Sequence, residues 1–459
     1  MKPSRRDFIK ASVAGSVVAG FPAIVPESVF GASAPSNRIN IGAIGVGRIS
    51  RVHDMPGVMQ FTGVPGRDNR IVAVCDLSEQ RVESGRQFVD TSYAQKLGKS
   101  YTGTKGYSDY RELLANKDID AVLISTPDHQ HARLAVAAVR AGKDVYLQKP
   151  ASLTIREGRI MADHVKASSR VVQIGSQQRS WKQFVRAVAL VRNGRIGTVQ
   201  RVEIGLPGDP AGGNREPMPV PAGFNYDAWL GSTPEVPYTL DRVMPTNDFS
   251  RPGWLRMEQF GAGMITGWGA HHVDTAHWGM DTELTGPVEI WGSAEFPKEG
   301  LWDVHGPFKT FGRYANGTVM TISGEFENGI KWIGDKGWIF VCRDGMTTPT
   351  ASASDKPAQI VPLRASDPAI INSEIGPNEF HPYTSDDQHG NWLDCIRSRK
   401  APTAPVEIGH RACSTCLLHW IAMKTNHRVH WDPATESIVG DDIAASLLAR
   451  HQRHPYELA

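Results

Sequence analysis

The sequence predicts an α/β protein built on a doubly wound parallel sheet, and three observations carry that prediction. Short apolar runs recur at Ile39–Ile44, Ile71–Cys75, Asp120–Ile124, Asp144–Leu147 and Arg170–Ile174. Helical patterns stand between them, among them Ala132–Ala141, which Gly142 ends, and Thr154–Ala167. The first run leads straight into a glycine turn, Gly45-Val46-Gly47-Arg48-Ile49-Ser50. Strands that alternate with helices are joined by crossovers, which make the sheet parallel and cover both its faces.

The turn after the first strand follows the G-x-G-x-x-G pattern, with Ser50 at the third glycine position. The first glycine permits a tight turn. The second lets the backbone approach a pyrophosphate at the helix N-terminus. The second strand ends at Asp76, 31 positions after Gly45, where the usual interval is about 20. Asp54–Asn69 is read as a surface insertion that supplies the excess. Asp76 would hold the adenosine ribose diol and repel a 2′-phosphate, favouring NAD over NADP. The alternative is that Asp76 caps the next helix. Later strands end at Ser125-Thr126, with His131 beyond, and at Gln148-Lys149. The candidate cofactor residues are therefore Gly45, Val46, Gly47, Arg48, Ile49, Asp76, Ser125, Thr126, His131, Gln148 and Lys149.

Composition narrows the class. The chain has 459 residues, enough for two or three domains at roughly 100–200 residues each. Hydrophobic residues make up 40% and charged ones 21%, and the net charge is only +2. That balance is globular and argues against nucleic acid or an anionic membrane as partner. Five cysteines, an odd number, imply no disulfide framework. Cys413 and Cys416 form a C-x-x-C pair near His410 and His419, but no second metal knuckle follows, so the pair reads as part of a core helix.

The N-terminus carries Ser4-Arg5-Arg6-Asp7-Phe8-Ile9-Lys10, a mildly apolar stretch from Ala11 to Val25, and Ala32-Ser33-Ala34. The order resembles the twin-arginine (Tat) export consensus with its cleavage site. Residues 1–34 are thus expected to be a signal peptide, the Tat machinery a partner, and the location periplasmic or otherwise exported. The apolar stretch is too short and glycine-rich for a stable membrane anchor, which needs about 20 residues.

Three further motifs bring a family into view. They are Gly45-Val46-Gly47, the Thr126-Pro127-Asp128 turn with His131, and Lys149-Pro150, matching a Glu-Lys-Pro motif with Gln148 in place of Glu. Together they resemble the Gfo/Idh/MocA oxidoreductases. The resemblance implies a Rossmann domain over 37–176 and a C-terminal α/β domain over 177–459. The latter would have a large, mostly antiparallel open sheet facing the nicotinamide and joining a homo-oligomer. Gly175–Ser180 would be the hinge. Strands are expected at 200–204 and 318–322, helices at 183–192, 387–397 and 408–423, and a long excursion over the site at 208–260.

The segment Gly261–Asp274 resembles the family stretch in which an Asp precedes a His by four positions. The His matches His271, but Gly267 stands where the acid belongs. Lys149 and His271 are then the candidate catalytic residues, and Gln178, Arg179, Trp268 and His271 the candidate substrate contacts. The missing acid leaves room that Trp268 or a bulky substrate would fill. His271, His272, Asp274 and His277 also read as metal ligands, but on a helix only His271 and Asp274 share a face while His272 points about 100° away, and no metal is expected. Trp254, Trp268 and Trp278 are either core or a sugar-stacking platform. The implied activity is NAD-dependent oxidation or reduction at a CH–OH group of a sugar, cyclitol or glycoside, with tightly bound NAD. One alternative is redox-neutral glycoside cleavage by oxidation, elimination and re-reduction. Another is a non-catalytic sugar-binding protein.

Overall fold

The computed structural model describes residues 38–243, 248–250, 252–343 and 361–458. The signal-peptide segment lies outside the described residues. The first sheet has six strands: β1 (Ile39–Ile44), β2 (Asn69–Cys75), β3 (Lys105–Tyr107), β4 (Ala121–Ile124), β5 (Asp144–Leu147) and β6 (Val172–Ile174). Their order is β3-β2-β1-β4-β5-β6, all parallel. β4 and β5 are buried along their whole length, as expected of strands covered on both faces. The chain order reverses between β1 and β4, which opens a crevice at their C-terminal ends.

Two expectations change here. The helix read from Ala132 begins at Asp128 and runs to Arg140. Its first turn, Asp128-His129-Gln130-His131, is polar and so hid the start. The stretch from Asp54 is also not simply a surface insertion. Ser50–Asp54 forms a wide π-helical turn and Met55–Met59 an α-helix, and Met55 and Val58 are fully buried. Pro56 lies in the first helical turn, where its missing N–H has no partner to lose.

The second sheet has nine strands: β7 (Val199–Gly205), β8 (Glu289–Ala294), β9 (Phe308–Arg313), β10 (Val319–Ser323), β11 (Gly329–Gly334), β12 (Trp338–Val341), β13 (Leu363–Ala365), β14 (Val429–Asp432) and β15 (Ser437–Ile438). The order is β13-β12-β11-β7-β10-β9-β8-β14-β15, and only the β10–β7 pair is parallel. Val202, Ile204, Met320, Ile322, Ile330 and Trp332 alternate onto one face and are buried. Helices Lys182–Arg192, Gly269–Met280 and Val406–Thr425 cover that face. The expectation that the open sheet itself meets the nicotinamide is therefore corrected. An apolar sheet face must be buried, and these helices stand between it and the parallel sheet. The opposite face carries Arg201, Lys309 and Arg313 beside the stacked rings of Trp291 and Phe311.

The C-terminal segment returns to the first sheet. In helix Gln388–Ser398, Trp392 and Leu393 join Ile41 and Leu123 in one apolar cluster. Arg399 then clamps Asp144 with two bonds of 2.8 Å. Of the helices read from the sequence in this region, the first is shifted by one residue, to Gln388–Ser398, and the second runs longer at both ends, as Val406–Thr425. No helix among the described residues is long and apolar enough to cross a membrane.

A candidate active site between the two sheets

A cavity opens at the C-terminal ends of β1, β2, β4 and β5. Gly45, Gly47, Arg48, Ile49 and Asp76 line one end; Lys149, Trp268, His271 and Arg343 line the other, with Ser125, Thr126 and Gln148 between. Four sequence-selected residues, Val46, His131, Gln178 and Arg179, do not line it.

At the first end, Gly45 has φ +81°, and a Cβ there would lie 2.8 Å from the Ser125 carbonyl oxygen. Only glycine suits that conformation and that approach. The Val46 side chain is buried in the core, while its N–H donates to Asp76 Oδ2 at 3.1 Å. Ser78, not Asp76, caps helix Glu79–Leu97 by accepting from the Arg81 N–H. Asp76 thus keeps a place on the cavity wall. Thr126 Oγ1 is buried without a hydrogen-bond partner. A glycine cradle that a Cβ would fill, a carboxylate at the end of β2 and an orphaned hydroxyl together fit a dinucleotide. His131 braces the floor from behind: its ring nitrogens lie 2.6 and 2.9 Å from the Pro150 and Thr126 carbonyl oxygens.

At the second end, Lys149 Nζ donates to the Gly267 carbonyl at 2.6 Å. His271 is 3% exposed, and its Nδ1 has no hydrogen-bond partner. Burial drives its pKa well below the ordinary value, and the Arg343 and Lys149 charges push the same way. The imidazole is therefore neutral. Asp128, at the start of its helix, also lines the cavity and is 3% exposed. Burial raises its carboxyl pKa, against the pull of Lys149. The room expected at Gly267 is taken by Met264, whose Cε would meet an added Cβ at 3.3 Å. Trp268 packs under the Arg343 guanidinium at 4.5 Å.

Gln178 and Arg179 turn the other way. Arg179 pairs with Asp274 at 2.7 Å and Glu283 at 2.8 Å, with the Trp278 ring at 4.9 Å. Gln178 bonds His272 and Thr275. A buried charge needs a partner, and helix Gly269–Met280 supplies one away from the cavity. The same pairing disperses the alternative metal set. Asp274 serves Arg179, His277 meets the Tyr314 hydroxyl at 2.6 Å, and His272 meets Asn328 at 2.8 Å. Cys413 and Cys416 are buried free thiols; His410 pairs with Glu436 and His419 with Thr310.

One cluster had no separate sequence signal. His53, Asp54 and His389 bring ligand-type atoms within 4.8 Å of one another. Both Asp54 oxygens are already engaged. Oδ1 lies 2.8 Å from Gln148 Nε2, 2.9 Å from His53 Nδ1 and 3.4 Å from His389 Nε2, and Oδ2 accepts from the Ser125 hydroxyl at 2.7 Å. Burial alone would raise the Asp54 pKa, but the bonds to His389 and His53 hold it far below the carboxylate range. This explains Gln148. A carboxamide donates to Asp54, whereas the usual Glu would set two carboxylates together.

The excursion read at 208–260 does cover the site where it is described. Phe224, Asn225, Trp229, Tyr238, Trp254 and Leu255 line the cavity. Of these, sequence reading singled out only Trp254, as core or a sugar-stacking platform, and missed the rest because that stretch has no periodicity. It also missed Asp128 and Arg343. Asp128 stood inside the quoted Thr-Pro-Asp motif, but an acid in a helix's first turn reads as a dipole partner.

The comparisons with known proteins agree with this layout. The oxidoreductase family's NAD-binding Rossmann fold matches residues 39–176, and its C-terminal alpha/beta domain matches 211–345 and 378–458. An inositol 2-dehydrogenase of Salmonella paratyphi B is 31% identical over 160 residues, 35% of this chain and 43% of that protein. An alpha-N-acetylgalactosaminidase of Shewanella oneidensis is 30% identical over 210 residues, 42% of this chain and 43% of that one. The chain thus spans less than half the length of these relatives. Among solved structures, the WlbA dehydrogenase of Bordetella pertussis, in complex with NADH and UDP-GlcNAcA, shares the fold. Its TM-score is 0.59 at 15% identity, covering 86% of this chain and 99% of that one. A levoglucosan dehydrogenase in complex with NADH and levoglucosan gives 0.55 at 17% identity, with the same coverages of 86% and 99%. With both family domains matched in order across the two sheets, the chain belongs to the Gfo/Idh/MocA oxidoreductase family, and its first domain is that family's NAD-binding Rossmann fold.

Proposed function

We propose that this protein is an NAD-dependent oxidoreductase acting on the CH–OH group of a sugar or cyclitol, with NADP the poorer cofactor. The observation that carries the reading is one cavity joining the Gly45 turn and Asp76 to Lys149 and His271. When bound, NAD supplies a hydride acceptor and donor at its nicotinamide ring. The glycine turn admits the pyrophosphate to the helix N-terminus. Asp76 accepts from the ribose hydroxyls and repels a 2′-phosphate. Lys149, steered by the Gly267 carbonyl, hydrogen-bonds the reacting oxygen and stabilises negative charge that develops there. His271, buried and neutral, offers Nδ1 to a substrate hydroxyl. Trp229, Trp254 and Trp268 on the cavity wall are amphipathic surfaces suited to a sugar face. The names of the inositol and levoglucosan dehydrogenases among its likenesses support the substrate class.

A second reading, redox-neutral glycoside cleavage, is favoured by the likeness to the Shewanella galactosaminidase. One assay separates them. The purified protein is offered polyols and aryl glycosides while NADH absorbance and aglycone release are followed together. Stoichiometric NADH formation from a polyol supports the dehydrogenase. Aglycone release without net NADH supports the cleavage, and neither signal with any sugar overturns both. Tat export, a periplasmic location with NAD carried out bound, and homo-oligomerisation belong to the same proposal. The aromatic outer face around Trp291 and Phe311 supports the last.

A further inference from the structure

The Asp76 end of the cavity is walled by chain from outside the first sheet. Just beyond Asp76, the backbone is sewn to the 208–260 excursion. The Glu79 N–H donates to the Gly223 carbonyl and the Asn225 N–H to the Leu77 carbonyl, both at 2.9 Å. Helix Tyr226–Leu230 follows, and its Asp227 carboxylate takes two residues of segment 448–458. Arg453 Nη1 donates to Oδ1 and the Tyr456 hydroxyl to Oδ2, each at 2.6 Å. The Arg453 N–H also donates to the Ser232 carbonyl at 2.9 Å. The same segment is fastened to helix Ile155–Lys166 of the first domain. There the Arg156 N–H donates to the Leu448 carbonyl at 2.9 Å, and Gln452 Nε2 donates to Glu157 Oε1 at 3.0 Å. Segment 448–458 is therefore a strap that ties the excursion to the parallel-sheet domain.

Tyr456 is where the strap meets the cavity. It lines the wall together with Tyr110 and Arg133. The Arg133 guanidinium lies 5.3 Å from the ring centroid of each tyrosine. Tyr110 stands shortly after Tyr107, whose carbonyl accepts from the Asp76 N–H at 3.2 Å. The three side chains thus belong to the ribose-binding end, away from Lys149. Two rings about a planar cation make a flat surface suited to the π-face of an adenine base.

We propose that Tyr456 is an adenosine-end residue of the NAD site, and that the strap, latched onto Asp227, holds the dinucleotide in place between turnovers. The inference rests on NAD as the cofactor and is the same for a dehydrogenase and for redox-neutral cleavage. Both bonds to Asp227 are charge-assisted, the stronger kind. Release of the adenosine end requires them to break, so the strap sets the rate of exchange.

The test uses the full chain loaded with radiolabelled NAD, freed of excess by gel filtration and chased with unlabelled NAD. The unmodified protein is compared with Tyr456→Ala, Tyr456→Phe and Asp227→Asn. The expected result is that the unmodified protein keeps its label through filtration, while Tyr456→Ala and Asp227→Asn release it about tenfold faster or more. Tyr456→Phe, which keeps the ring but not the hydroxyl, falls between. The rise in Tm on adding NAD should also be smaller in Tyr456→Ala than in the unmodified protein, a readout that does not depend on turnover. Unchanged release from folded Tyr456→Ala and Asp227→Asn overturns the proposal, as does complete loss of label from the unmodified protein during filtration. If Tyr456→Ala does not fold, Tyr456→Phe decides, and release at the unmodified rate overturns the latch. An unmodified protein that takes up no NAD at all overturns the cofactor placement and the strap with it, whereas inactivity on every sugar sinks only the proposed reaction and leaves the exchange rates to judge the strap.

Discussion

Asp54 and Asp128 are both buried carboxyls beside one cavity, and the structure surrounds them in opposite ways. Asp54 is fully buried, with His53, His389, Gln148 and Ser125 against its two oxygens. Asp128 has an oxygen with no hydrogen-bond partner and leans on the charge of Lys149. Burial raises the pKa of each, yet Asp54 ends far below the carboxylate range and Asp128 above it. Donors, not depth, decide the charge state. Asp54 is structural: through His389 it ties helix Gln388–Ser398 to the glycine-turn side of the parallel sheet. Gly57 makes room for that contact, since a Cβ there would collide with the His389 ring. Asp128 stands on the cavity wall with its pKa raised by burial, the kind of environment in which functional carboxyls are found.

The sharpest break in this comparison is Lys149→Ala. It removes the group at the reacting oxygen, so turnover should fall by about 10²–10⁴-fold while NAD stays bound. Steady-state rates on the best polyol, with NAD content by absorbance, check it. Asp54→Ala should do the reverse, leaving catalytic groups in place but lowering stability by about 3–5 kcal/mol, read from denaturant unfolding. The pH dependence follows from the depressed pKa. The Asp54 contribution is present above its unfolded value of about 3.9 and is lost as pH falls through the folded pKa. The variant should therefore show a flatter acid limb than the unmodified protein.

Gln148→Glu makes Asp54 resemble Asp128 by replacing a donor with a second carboxylate. A loss of about 1–3 kcal/mol at neutral pH, shrinking in acid as the pair takes up a proton, is expected in the same unfolding experiment. Asp76→Ala tests the far end of the cavity, outside the comparison. It should weaken NAD roughly tenfold and relax discrimination against NADP, measured by titration calorimetry with both dinucleotides.

The parallel sheet was legible because its strands are buried on both faces and so read as unbroken apolar runs. β3, Lys105–Tyr107, escaped because it is a short edge strand with exposed residues. The glycine turn, Asp76, Lys149 and His271 were legible because a motif and its spacing name them. Gln178 and Arg179 were legible as hinge residues but not in direction. The Asp274 carboxylate that takes Arg179 lies 95 positions away.

Local chemistry determined the strand–helix alternation, the glycine at position 45, the acid at the end of β2 and the lysine at the end of β5. Each follows from neighbours in the chain, where backbone conformation and hydrophobic period act. Tertiary structure alone decided which polar groups meet. It placed His389 against Asp54 across 335 positions and Lys149 against the Gly267 carbonyl across 118. It filled the gap at Gly267 with Met264 and set Asp128 and Lys149 on the wall of one cavity. Buried charge is governed by whatever donors the fold delivers to it, and those come from segments whose spacing along the chain carries no period.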